Sequence, residues 1–182
     1  VEQYDSGAID PAKYQVLAVP LLNPDGVKRG HWRANLGGLD LNRDWGNFTQ
    51  PETSAVGRWL DGLDPGVKPV VMIDFHSTQS NLFYVQGADE TGPAQEAFLQ
   101  AWLGRNLGAF AGYPFKIERR NANPGSGTSK NWFNERFAIP AYTYEVGDET
   151  ERGAVAETAR VFGRTLMPAL EDLLEASVGP GN

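Results

Sequence analysis

The chain has no cysteine. Disulfide staples and thiolate metal sites are therefore excluded, and the redox compartment cannot be read. It has only two histidines, so any metal site has few imidazoles to draw on. Basic residues are outnumbered, 16 Lys and Arg against 23 Asp and Glu, giving a net charge of −7. Phosphate binding needs a basic face, so a nucleic-acid partner is set aside. No apolar run approaches the roughly 20 residues that span a bilayer, and no signal-peptide pattern opens the chain. Internal repeats and low-complexity segments are also missing. The first residue is Val1 rather than Met, which suggests processing or truncation upstream. What remains is an ordinary globular composition, 41% hydrophobic and 21% charged over 182 residues. That is enough for one domain with a sizeable core and too apolar for disorder.

Strand and helix patterns alternate along the chain. Residues 14–22 read as a first, buried strand, broken by a turn at Asn23-Pro24-Asp25-Gly26. Residues 49–63 read as a helix, with Pro51 at its first position and Val56, Trp59, Leu60 and Leu63 on its apolar face. Residues 69–75 form a β-branched run that predicts a central, doubly buried strand. Residues 81–85 predict the next strand, and a helix follows from Gly92 to about residue 111. Residues 115–119 alternate as a strand, and a Gly- and Asn-rich loop covers 121–128. Ser129 is the expected cap of a short helix, and residues 141–146 read as a strand. Thr150 is the expected cap of a final helix to about residue 176, which Pro168 should kink or divide. The pattern predicts a single α/β domain, a three-layer sandwich with a mixed, largely parallel sheet and helices on both faces.

Chemistry-bearing residues cluster beyond strand ends, where α/β sheets tend to place them. Arg33, Asn42 and Arg43 lie between glycines and two tryptophans. Two guanidiniums and an amide suit a planar anion such as a carboxylate. Alternatively, the arginines pair with Asp25, Asp40 and Asp44 on a solvated loop. His76 ends a strand, either as a hydrogen-bonded structural residue or as a zinc ligand. Asp74, two residues earlier, either supports it or buries its charge locally. Glu145 interrupts an apolar strand. Burial there would raise its pKa and suit a general base, whereas a solvent-facing carboxylate would need no special role. His31, beside Trp32, is open to substrate contact or loop packing.

The spelling NPDG (23–26), then WR (32–33), then DLNRDW (40–45) resembles the zinc carboxypeptidase family, the funnel-type metallocarboxypeptidases. The resemblance implies hydrolysis of a C-terminal peptide or amide bond in a substrate with a free terminal carboxylate. It implies that Arg33 polarises the scissile carbonyl, that Asn42 and Arg43 hold the carboxylate, and that Glu145 is the catalytic base. It makes His76 one ligand of a single zinc ion. Counting back from Trp132, the family's substrate-capping Tyr position holds Asn123, and its side-chain specificity position holds Lys130. A cation there would favour an acidic leaving residue; alternatively Lys130 only decorates the first turn of a helix.

One departure is large. The family's His-x-x-Glu, which precedes NPDG, has no counterpart here. The chain would then cover the C-terminal two-thirds of a catalytic domain, from about residue 14 to 174. Alone it would bind zinc weakly and be inactive, and it would pair with an N-terminal fragment or self-associate. Two further classes fit the same residues. One is a non-catalytic module that binds peptide C-termini, and the other is a metal-dependent deacylase of N-acyl amino acids. A His-x-x-Glu some tens of residues upstream would favour the enzyme.

Overall fold

A computed structural model of the chain describes residues 5–7, 9–108, 114–121 and 126–178. Its elements are α1 (Pro24–Arg29), α2 (Pro51–Asp61), β1 (Met72–Thr78), β2 (Leu82–Val85), α3 (Pro93–Trp102), β3 (Lys116–Arg119), α4 (Ser129–Phe137), β4 (Ala141–Gly147) and α5 (Arg152–Val178). Two 3₁₀ turns, Leu41–Arg43 and Gly104–Asn106, lie between them. The chain forms two compact units. One comprises Val1–Val16, Phe75–Asn121 and Tyr142–Asn182; the other comprises Leu17–Asp74 and Ala122–Ala141.

The first unit holds most of the sheet, in the order β1-β4-β2-β3, while the start of β1, through Asp74, and Ala141 of β4 belong to the second. β2 pairs parallel with β3 and antiparallel with β4. The backbone bonds from Met72 N–H to Pro140 and from Asp148 N–H to Thr78 advance together along β1 and β4, so that pair is parallel. The sheet is mixed and mostly parallel, as the alternating pattern predicts. Aromatic rings fill the core of this unit. Phe83 stacks on Tyr144 at 4.3 Å and meets Trp102, Phe115 and Phe162 edge-on. The indole Nε1 of Trp102 donates to the Phe162 carbonyl at 3.1 Å, tying α3 to α5. An indole N–H buried in such a core requires a partner of this kind.

The second unit packs α2 and α4 around Trp45, Leu60, Phe133, Ile139 and Ala141, with Phe48, Val56 and Trp132 against them. α2 starts with Pro51, whose missing N–H has no helical partner in any case, and Glu52 sits in its positively polarised first turn. Its N-cap, Gln50, makes no side-chain cap bond.

Several sequence expectations fail, each for a physical reason. Residues 14–22 form no strand. Val16, Leu17 and Leu21 are 63%, 53% and 50% exposed. An apolar run becomes a strand only when a neighbouring strand takes up its backbone groups in register, and among the described residues 14–22 belong to no ladder. The turn at 23–26 is instead the start of α1, because Oδ1 of Asn23 caps the N–H of Gly26 at 3.0 Å. The doubly buried strand at 69–75 begins later, at Met72, and runs along the sheet edge, so Phe75 is 69% exposed. The α-helix from Pro93 stops at Trp102 and gives way to a 3₁₀ turn; residues 109–113 lie outside the described ones. The cap of α4 is Thr128, not Ser129. At the last helix the Thr150 hydroxyl donates to the Gly147 carbonyl at 2.6 Å, and the Glu151 carboxylate accepts the Ala154 N–H at 2.9 Å. α5 runs undivided through Pro168. The lost bond there is offset by burial on both sides, at Met167, Ala169, Leu170 and Leu173. Among the described residues no helix is long and apolar enough to cross a membrane.

Candidate functional site

In the second unit, α1 ends at Gly30, with φ at +71°, a left-handed cap that glycine adopts without strain. The loop that follows is closed on itself. Nδ2 of Asn23 donates to the Ala34 carbonyl at 3.1 Å, and Nδ1–H of His31 reaches the same oxygen at 3.2 Å. Loop packing is thus the role the fold gives His31. Ala34 also bridges to Asp40.

Asp40 is the hub of this loop. Its Oδ2 accepts Nε–H of Arg33 at 2.9 Å, and its Oδ1 accepts the backbone N–H of Asn42 at 2.9 Å. Arg33 is half-exposed, so the ion pair adds little stability. Its effect is orientation: the bond uses Nε, and the two Nη groups remain as a fork of donors. Arg43, in the same 3₁₀ turn, donates from Nη1 to the Asn42 carbonyl at 2.6 Å. Asp40 thus pairs with arginine, as the solvated-loop reading has it, while still holding Arg33 and Asn42 beside each other.

Asp44 does not pair with arginine. It is 1% exposed. It accepts the N–H and hydroxyl of Thr49 at 3.0 and 2.6 Å, the Gln50 N–H at 2.9 Å and the Thr53 hydroxyl at 2.5 Å. Burial pushes its pKa up, but the bonds from Thr49, Thr53 and Gln50 together outweigh burial and leave it lowered. This knot fixes the segment that carries Arg43 on one side and Trp45 on the other.

The first turn of α4 is enclosed. Ser129, Lys130 and Asn131 are 2%, 6% and 9% exposed, so Lys130 does not decorate a solvated surface. The Ser129 N–H donates to Oδ1 of Asn42 at 2.8 Å. The Ser129 hydroxyl donates to Oδ2 of Asp74, which places Asp74 in a local network with α4. Gly127 (φ +62°) precedes this turn, and a Cβ there would lie 2.3 Å from the Arg43 carbonyl oxygen. Only glycine allows the two loops to approach so closely. Asn123 lies outside the described residues.

In the first unit, Phe75 of β1 and Tyr144 of β4 pair their rings at 5.9 Å. His76 and Glu145 each follow by one residue, so they occupy the opposite face of the two neighbouring strands. Both are half-buried. The Oε2 atom of Glu145 is enclosed and receives no hydrogen bond, while the residue keeps other interactions within the fold. Among the described residues no three His, Cys, Asp or Glu side chains come close enough to hold a metal ion. A catalytic zinc needs about three protein ligands, so these residues do not fit the group; His76 is a single candidate ligand.

The fold therefore links Arg33, Asn42 and Arg43 through Asp40, joins Asn42 to the turn bearing Lys130 through Ser129, and sets His76 beside Glu145. Sequence reasoning missed Asp40 and Ser129 as organisers. Asp40 was findable, since Asp two residues before Asn42 has Asx-turn spacing. Ser129 was not, because its two partners are remote in sequence.

A family model described as zinc carboxypeptidase matches residues 11–167. Cytosolic carboxypeptidase 6 of Caenorhabditis elegans is 30% identical over 143 residues, covering 73% of this chain and 31% of that protein. Human cytosolic carboxypeptidase 4 is 42% identical over 71 residues, 36% of this chain and 6% of that protein. Among solved structures, a metallo-carboxypeptidase from Burkholderia cenocepacia superposes with a TM-score of 0.61 at 18% identity, over 87% of this chain and 44% of that one. A metallo-carboxypeptidase from Pseudomonas aeruginosa gives the same score at 22% identity, over 84% and 45%. These likenesses show the fold. The chain spans less than half the length of each of these proteins.

Proposed function

This chain belongs to the zinc carboxypeptidase family, and we propose that it carries the carboxylate anchor and general base of a hydrolase that removes residues from peptide C-termini. In this reading Asn42 and Arg43 hold the substrate's terminal carboxylate. The Nη groups of Arg33 stabilise negative charge on the scissile carbonyl oxygen. Glu145 takes a proton from the attacking water and returns it to the leaving amine. Lys130 receives an acidic side chain, and by the count back from Trp132 Asn123 takes the family's capping position in the sequence. The observation that supports this most is the Asp40 hub, whose carboxylate holds the Arg33 Nε–H and the Asn42 backbone N–H side by side.

The chain itself can be tested. It should bind N-acetyl-leucine and reject N-acetyl-leucinamide in isothermal titration. Arg43→Gln should weaken the acid roughly 5-fold, a small factor because Arg43 is exposed and screened. Equal binding of acid and amide would sink the anchor.

The metal gives a second test. With His76 as the one ligand that the family resemblance assigns to this chain, and no group of three metal-binding side chains among the described residues, the purified chain should hold zinc weakly or not at all, and metal analysis after dialysis should find far less than one equivalent. Tightly bound stoichiometric zinc would overturn this account of the ligands. The same shortage of assigned ligands favours a second reading, a module that binds C-termini without cutting them. Release of leucine from a peptide by the chain supplied with zinc would exclude that reading.

A further inference from the structure

We propose that Ser129 and Asp74 are positioning residues that set which face of the Asn42 side chain meets a substrate carboxylate. The inference rests on the reading of Asn42 as part of the anchor. An asparagine amide is ambiguous: one end donates and the other repels an anion. In this fold the ambiguity is resolved by chemistry. A backbone N–H can be accepted only by oxygen, so the 2.8 Å bond from Ser129 N–H identifies the bonded atom of Asn42 as Oδ1. The donor end, Nδ2, is then the other branch of the amide, and a carboxylate needs that end.

The same bond is useful to α4, since Ser129 is the first residue of that helix and its N–H has no helical acceptor. A purely structural cap is therefore the competing explanation. Two features go beyond it. Thr128 already caps the helix through the Asn131 N–H at 3.4 Å. The Ser129 hydroxyl is separately held by Asp74 of β1, in a pocket where Ser129 is 2% exposed. Asp74 thus fixes Ser129, Ser129 fixes Oδ1 of Asn42, and the Asn42 N–H is fixed by Asp40 at 2.9 Å. Arg33 shares that Asp40 carboxylate. One chain of bonds, contributed by β1, α4 and the loop before the 3₁₀ turn, fixes which way the Asn42 amide is turned, and Asn42 keeps further interactions within the fold.

The experiment compares N-acetyl-leucine with N-acetyl-leucinamide on the ¹⁵N-labelled chain by NMR, in wild type, Ser129→Ala and Thr128→Ala. Ser129→Ala deletes the hydroxyl tie but keeps the N–H. Thr128→Ala loosens the same helix start without touching Asn42. The expected result is that the acid shifts the Asn42 Nδ2 resonances, that Ser129→Ala weakens acid binding roughly 3- to 10-fold, and that Thr128→Ala does not. Acid binding by Ser129→Ala equal to wild type, or equal losses in both variants, overturns the positioning role and leaves the anchor standing. Wild type that does not distinguish acid from amide overturns the anchor and this inference with it. Should Ser129→Ala fail to fold, hydrogen exchange on wild type decides. A Ser129 N–H that stays protected while acid binds supports the role, and one that exchanges freely overturns it.

Discussion

Asp44→Ala should destabilise the unit built from residues 17–74 and 122–141 by about 3–5 kcal/mol. The side chain is 1% exposed and accepts four hydrogen bonds. The hydroxyls of Thr49 and Thr53 can rotate toward other acceptors, and Thr53 already lies 3.2 Å from the Gln50 carbonyl. The backbone N–H groups of Thr49 and Gln50 cannot. Alanine leaves these part-buried groups without an acceptor and opens a void the size of a carboxylate where Asp44 itself is buried. Chemical denaturation followed through tryptophan fluorescence measures the loss, and a change below about 1 kcal/mol would show that water replaces the carboxylate.

The lowered pKa adds a pH signature. Asp44 stabilises the folded state in its charged form. Its contribution is complete above the ordinary value of 3.8 and is lost as pH falls through the lowered folded value. Wild type should therefore lose stability progressively in acid, and Asp44→Asn should lose that part of the dependence. Identical acid profiles would mean that other carboxylates control acid unfolding.

Lys130→Ile should weaken binding of N-acetyl-glutamate 10- to 100-fold and leave N-acetyl-leucine unchanged, the range expected for one charged hydrogen bond in a desolvated setting. Lys130 is only 6% exposed, so its charge is poorly screened by water, unlike that of the exposed Arg43. The chain's net charge of −7 repels acidic ligands at long range. Any preference for them must then come from a local cation. Lys130 also keeps interactions of its own within the fold, so the discriminating quantity is the ratio between the two ligands, not the melting temperature. A variant that melts earlier but keeps the ratio would show that Lys130 supports α4 and does not read the side chain.

Sequence by itself determined the family through three short motifs and the alternation of strands and helices, and it named Arg33, Asn42 and Arg43 as candidate donors. These are local signals: a turn, a spacing or a period is written in neighbouring residues. It also located β2, β3 and β4 nearly to the residue, because a short β-branched or aromatic run bounded by turn residues has few other uses. Tertiary structure alone decided the rest. It left residues 14–22 outside the sheet, although their pattern is a strand's, because a strand exists only beside another strand. It moved β1 to a sheet edge for the same reason. It gave Asp40 and Asp44, four residues apart and alike in type, different work, one holding Arg33 on the surface and the other, itself buried, capping the backbone N–H groups of residues 49 and 50. And it joined Asn42 to Ser129 and Ser129 to Asp74, partners separated by 87 and 55 residues, which no local pattern can specify because such bonds form only after the chain has folded.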